Sequence, residues 1–251
     1  NAAIKAQGFN YKDQASRILQ QMTIEERVGE VFLVSFTGTN IDEASQILNL
    51  VEQKHVGGVV LRRGNDNLIG PENTAAALQE MIITLQETKK DFALTNNKSL
   101  SYTPLLIGIR QEGDLYPGDQ ILNGITVLPN AMTIGATWDT NNALVAGSIL
   151  GADLSSLGVN LLLGPSLDVL DVVRTDGGED LGASTFGGNP YWVGEMGQAF
   201  IEGVHKGSRN RIAVVATHFP GIGSSDRKPE EEIATVRKSL EQLKQIELAP
   251  F

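Results

Sequence analysis

The sequence contains no cysteine. Disulfides, thiolate metal sites and a cysteine nucleophile are excluded together, and the compartment, cytoplasmic or secreted, stays open because that absence fits either. No apolar run approaches the roughly 20 residues that a membrane helix needs, so no membrane span is expected. Basic side chains are scarce relative to acidic ones: 20 Lys and Arg stand against 30 Asp and Glu, a net charge of −10. That balance argues against nucleic acid or anionic lipid as a partner, because both reward positive charge. Three motifs are also missing. Without G-x-G-x-x-G after the first strand a dinucleotide-binding fold loses support, and without G-x-S-x-G there is no nucleophile elbow. The three histidines, His55, His205 and His218, lie far apart and lack H-E-x-x-H spacing, so no metal and no cofactor are expected. The chain opens Asn1-Ala2-Ala3 with no methionine and no apolar signal core, which reads as a processed or engineered start.

What is present is alternation of short apolar runs and helical segments over 251 residues, enough to bury a sizeable core. Thr23-Ile24-Glu25-Glu26 is a capping box that opens a helix leading into the run Val31 to Phe36. Val56 to Leu61, Leu105 to Ile109, Val159 to Leu163 and Ile212 to Ala216 read as four further strands. Between them, Pro71 opens a helix through about Lys90, and Asn141 to Leu157 forms a helix ended by Gly158. Asn189-Pro190 caps a helix reaching His205 and closed by Gly207, and Ser239 to Gln242 is a second capping box. Asp139-Thr140-Asn141-Asn142 reads as helix capping rather than a calcium loop. Nearly continuous apolar strands imply burial on both faces, as in a parallel sheet. The pattern is α/β, either doubly wound or TIM-barrel-like, with about five strands visible where a barrel needs eight. Residues 1–251 read as one domain, a barrel truncated at its C-terminus. Its open edges call for completion by a second copy of the chain or by polypeptide beyond Phe251. The glycine-rich stretch from Asp171 to Asn189 reads as a long loop on the site face.

Several segments carry a resemblance, in order along almost the whole chain: Gln21 to Gly29, Ile107 to Gly113, Leu128 to Met132, Gly135 to Trp138, Leu157 to Asn160, Pro165 to Val169, Phe186-Gly187 with Pro190, Thr217 to Gly221, and Glu247 to Phe251. Together they resemble the N-terminal barrel of glycoside hydrolase family 3, nearest its bacterial β-N-acetylhexosaminidase branch. The resemblance implies a (β/α)8-type barrel acting on β-linked hexoses or N-acetylhexosamines. Residue by residue, the functional positions depart from that pattern. The third-strand aspartate that grips sugar hydroxyls falls on Arg110, which has donors and no acceptor. The arginine before S-F-G falls on Ser184, the lysine of K-H-F-P-G on Thr217, and its second histidine on Ile222. Counted without gaps, the Asp-x-His acid/base dyad falls on Lys228 and Glu230, and the aspartate nucleophile lies beyond Phe251. A retaining glycosidase needs both carboxylate and proton donor, so no catalytic residue is assigned in this chain.

The candidate substrate-binding residues are His218, Arg110, Glu112, Asp168 and Thr217. His218 is either a sugar hydrogen-bond donor or a ring packed under the Pro220-Gly221 turn. Arg110 either reads an anionic group through its fork or pairs with Glu112, Asp168 or another acid in the mouth. Asp168 and Glu112 either contact a ligand or brace loops through backbone N–H groups. Lys228 and Glu230 sit in the charge run Asp226 to Glu232, which is also what a solvated surface loop looks like. The expected function is a carbohydrate-binding domain with degenerate catalytic motifs. An active β-glycosidase completed beyond Phe251, and a non-catalytic interaction module, are the alternatives.

Overall fold

The computed structural model describes residues 11–42, 44–68, 74–95, 102–113, 120–172, 181–225, 233 and 235–251. Helices α1 (Tyr11–Gln21) and α2 (Ile24–Gly29) precede strand β1 (Leu33–Val34). Then come α3 (Gln46–Glu52), β2 (Gly58–Val60), α4 (Thr74–Thr95), β3 (Leu106–Ile109), α5 (Ala131–Gly135) and α6 (Thr140–Leu157). The remainder is β4 (Leu161–Ser166), α7 (Leu181–Ser184), α8 (Pro190–Gly207), β5 (Ala213–Thr217) and α9 (Leu240–Gln245). The five strands form one all-parallel sheet in chain order, with Val59 opposite Ile107, Ile109 opposite Leu162 and Leu162 opposite Val214. Sequential parallel strands joined by helical crossovers give an α/β, TIM-barrel-like arrangement.

Burial follows position in the sheet. Val59, Ile107, Ile109 and Leu162 in the middle strands are fully buried, whereas Leu33 on β1 and Val215 on β5 are exposed. The apolar strands of the sequence are therefore two-sided in the centre and one-sided at the edges. Strand β4 runs further than its apolar stretch, through Gly164-Pro165 to Ser166, and its pairing with β5 shifts register between Leu163 and Ser166. Proline has no N–H for the ladder, which accounts for the slip at that point.

The capping boxes form: Thr23 Oγ1 accepts from the Glu26 N–H while Glu26 caps the Thr23 N–H, and Ser239 and Gln242 repeat the exchange. Asp139 caps α6 through the Asn141 N–H at 2.9 Å, and Gly158, at φ 91°, ends it. Helix α4 continues past Lys90 to Thr95, and its expected start at Pro71 lies outside the described residues. Helix α3, whose Ile47, Leu48 and Val51 face the core, lies in a stretch where no element is expected from the sequence, and α7 interrupts the glycine-rich segment that reads as a loop.

Helices α6 and α8 run parallel. A Cβ at Gly147 would meet the Phe200 carbonyl at 2.1 Å, and one at Gly151 the Val204 carbonyl at 2.3 Å. Only glycine lets the two backbones approach that closely, and the rising pairs 147/200 and 151/204 set both helices in the same direction. Each crossover helix runs opposite to the strands it connects, so both N-termini lie at the C-terminal ends of the strands. This end is called the mouth below, and the opposite end the foot.

Candidate functional site

The mouth is built from the segments leaving β3, β4 and β5. Asp168, two residues beyond β4, is 1% exposed and receives three groups. The Ser166 hydroxyl donates to Oδ2 at 2.8 Å, the Ile222 N–H to Oδ1 at 2.8 Å, and His218 Nδ1 lies 2.7 Å from Oδ2. Burial pushes the Asp168 carboxyl up, but the hydrogen bond and charge of His218, with the Ile222 N–H and Ser166 hydroxyl, outweigh it and hold the group below its ordinary value. His218 is 31% exposed, so the buried carboxylate orients the imidazole from behind while part of its ring remains open to the mouth. With Nδ1 on the carboxylate, Nε2 is the nitrogen left for a ligand.

The second group leaves β3. Arg110 Nε donates to Glu112 Oε1 at 2.5 Å, and the other Glu112 oxygen is buried with no partner among the described residues. Glu112 shares a small hollow with Ser166, Ser184 and Phe186. Arg110 thus supplies a cation to Glu112 from the same strand end, while position 184 carries only a hydroxyl. Gln111 and Gln120 brace this turn. Gln111 exchanges hydrogen bonds with the Ile121 backbone, and Gln120 accepts from the N–H groups of Glu112, at 2.7 Å, and Gly113. Thr217, the last residue of β5, points its hydroxyl at the Pro165 carbonyl, 3.5 Å away. The structure therefore brings His218, Asp168 and Thr217 together at the ends of β4 and β5, with Arg110 and Glu112 paired at the end of β3.

Lys228 and Glu230 lie outside the described residues. Chain on either side of that segment is fastened. Ser225 bridges Val236, and Lys238 Nζ lies 2.9 Å from both Asp171 Oδ2 and Glu247 Oε1. Burial pushes the Lys238 ammonium down, but Glu247 and Asp171 outweigh that and raise it above its ordinary value. Glu247 is fully buried, also accepts from Ser224 Oγ at 2.6 Å, and leaves Oε2 without a partner among the described residues. Sequence reasoning missed this clamp. Its one signal was an acid inside the apolar stretch Ile246-Glu247-Leu248. A larger hollow, about 460 Å³, lies at the foot, lined by Glu30, His55, Lys89, Phe92, Tyr102 and Thr103, and burial pushes the Tyr102 hydroxyl up. Among the described residues no group of three or more His, Asp and Glu is placed to hold a metal ion, and no helix is long and apolar enough to cross a membrane.

Comparison with known proteins gives this mouth a lineage. Residues 23–251 match the model of the glycosyl hydrolase family 3 N-terminal domain. A β-N-acetylglucosaminidase/β-glucosidase of Cellulomonas fimi is 27% identical over 210 residues, covering 83% of this chain and 31% of that protein. A β-hexosaminidase of Neisseria meningitidis serogroup C is 30% identical over 163 residues, 61% of this chain and 42% of its own length. The solved family 3 β-N-acetylglucosaminidase of a Paenibacillus species superposes with a TM-score of 0.76 at 29% identity, over 91% of this chain and 39% of that one. The chain thus spans less than half the length of these three relatives. With the parallel sheet, the ordered motifs and the family model in agreement, the chain belongs to glycoside hydrolase family 3, as an N-terminal barrel-type domain of its β-N-acetylhexosaminidase branch.

Proposed function

We propose that this domain binds a β-linked hexose or N-acetylhexosamine at the strand mouth and does not hydrolyse it on its own. The observation that carries the reading is the oriented His218–Asp168 pair. The imidazole is held by a buried, ionised carboxylate 2.7 Å away and is partly open to the mouth, suited to hydrogen-bonding a sugar hydroxyl. Around it, Arg110, Ser184, Thr217 and Ile222 stand where the family pattern has an aspartate, an arginine, a lysine and a histidine, and the counted acid/base dyad positions carry Lys228 and Glu230. Arg110 can only donate, and its Nε is engaged by Glu112.

The test pairs turnover with binding. Chromogenic β-N-acetylglucosaminide and β-glucoside should show no protein-dependent hydrolysis. Ligand-observed NMR with N-acetylglucosamine should report binding that weakens roughly tenfold in His218→Ala, the scale of one lost hydrogen bond. Turnover that disappears in His218→Ala would overturn the reading.

One observation favours a second reading. Among the described residues the sheet ends at β1 and β5 with no further strand paired to either edge, and the matched stretch covers less than half of each of the three relatives. In that reading the five strands belong to a barrel closed by further polypeptide, which brings the missing carboxylate and makes the whole an active retaining β-glycosidase. Turnover by a longer chain carrying a downstream aspartate, abolished when that aspartate becomes asparagine, distinguishes it.

A further inference from the structure

The chain has only two tryptophans, and both stand in one surface cluster. Trp138 and Trp192 meet edge-to-face with ring centroids 5.1 Å apart at 88°, and Tyr191 meets Trp192 at 5.8 Å and 75°. Trp192 is half-buried and packs on the hydrophobic core, while Trp138 is 60% and Tyr191 67% exposed. Trp138 sits at φ 54°, a left-handed conformation unusual for a bulky side chain, just before α6. Large aromatics left this open lose the burial that normally stabilises them, so a cluster of three asks for an occupant.

The cluster lies on the rim of the mouth. Trp138 precedes the N-terminus of α6, and Tyr191 and Trp192 form the N-terminus of α8, the two ends that the parallel packing places side by side. It is tied to the site by a short path. Gly135, three residues before Trp138, abuts the Phe186 carbonyl, and the neighbouring Thr185 hydroxyl donates to the Asp168 carbonyl. The surrounding chemistry narrows the ligand. Segments 135–142 and 186–194 supply Thr137, Asp139, Asn141, Asn142 and Asn189 and contain no lysine or arginine. Nucleic acid or an anionic lipid would want cations there. A β-linked pyranose offers flat C–H faces for the rings, and hydroxyls at its edge for short amide, hydroxyl and carboxylate groups.

We propose that Trp138, Trp192 and Tyr191 form a stacking platform for a neutral β-linked oligosaccharide, extending the binding surface from the mouth across the ends of α6 and α8. The proposal extends the carbohydrate reading but stands on different residues, so the two can fail separately.

Because both tryptophans belong to the cluster, tryptophan emission reports this surface alone. Titration with the β-1,4-linked tetrasaccharide of N-acetylglucosamine should give a saturable change in emission. Affinity for the tetrasaccharide, measured by calorimetry, should fall about tenfold in Trp138→Ala and recover in Trp138→Phe. Circular dichroism checks that each variant is folded. His218→Ala should keep the emission change while its monosaccharide binding in NMR weakens about tenfold. Emission that stays flat up to millimolar tetrasaccharide, or undiminished affinity in Trp138→Ala, overturns the platform. Weakened monosaccharide binding in His218→Ala would at the same time leave the mouth reading standing. Conversely, a monosaccharide signal unchanged in His218→Ala beside a saturable emission change sinks the mouth reading and supports the platform.

Discussion

The two ends of the sheet handle buried charge in opposite ways. At the foot, Lys89 donates to Glu30 Oε1 at 2.6 Å and to the Val56 carbonyl at 2.8 Å, and the Thr103 hydroxyl joins the same oxygen. Asn160 holds β3 from both sides, accepting from the Ile107 N–H and donating to the Leu105 carbonyl, whose residue also exchanges two hydrogen bonds with Gln86. These side chains fasten strands and helices to one another. At the mouth, Glu112 and Glu247 are each held through one oxygen while the other is buried and unpartnered among the described residues. A buried unpaired acceptor costs about 1–3 kcal/mol. The difference teaches that the foot is organised for stability and the mouth for holding side chains in place at some expense of stability, the division expected where an α/β barrel keeps its chemistry.

The largest break in that comparison is Lys89→Met. Removing the cation leaves the Glu30 carboxylate and the Val56 carbonyl without it, and a loss of about 3 kcal/mol in urea unfolding is expected. Sugar affinity at the mouth should stay within about twofold, because none of these contacts reaches it. A matching collapse in affinity would show that the two ends are not separable.

Asp168→Asn comes next and should act on both stability and binding. At neutral pH a destabilisation of about 2 kcal/mol is expected from losing the charged partner of His218 in a buried site, with about tenfold weaker sugar binding. The pH dependence has a definite sign. The Asp168 value is lowered in the folded protein, so its contribution is fully present above the unfolded carboxylate value near 3.9. It is lost as pH falls through the depressed folded value. Urea unfolding from pH 7 to pH 2 should therefore show a constant gap between wild type and Asp168→Asn down to about pH 4, closing below it. A gap that already changes between pH 7 and 5 would mean that Asp168 is not the group that controls the linkage.

The same contrast explains what could be read from sequence. The starts and ends of several helices were legible because they follow local rules. Capping boxes at Thr23 and Ser239, the Asn189-Pro190 start and Gly158 each act within a few residues. The middle strands were legible because two-sided burial leaves an unbroken apolar run. Helix α1 was overlooked although Tyr11, Ala15, Ile18 and Leu19 stand at helical spacing. At the mouth, the motifs pointed to His218, Asp168 and Arg110, and Glu112 was among the partners weighed for Arg110, but the groups that hold Asp168 were not foreseen. The Ile222 N–H on Asp168, 54 residues away in sequence, and the Lys238–Glu247–Asp171 clamp arise from the tertiary fold and carry no local pattern. Nor did spacing announce the aromatic rim. Trp138 and Trp192 are 54 positions apart and meet only because glycines let α6 and α8 lie side by side.

The smallest expected effect sharpens the comparison within a single helix. Helix α6 runs from the mouth, where Asp139 caps it, to the foot, where Gly158 ends it. Asp139→Ala removes one side-chain acceptor from an exposed helix start, and about 1 kcal/mol of stability should go with it. Asp139 also follows Trp138 directly, so the cap helps fix where the indole stands. If the platform depends on a rigid rim, Asp139→Ala should weaken tetrasaccharide binding by more than the twofold allowed for Lys89→Met. This should hold although Lys89→Met loses about three times as much stability. Equal tetrasaccharide affinities in the two variants would show that the rim tolerates fraying and that the cap serves the helix alone.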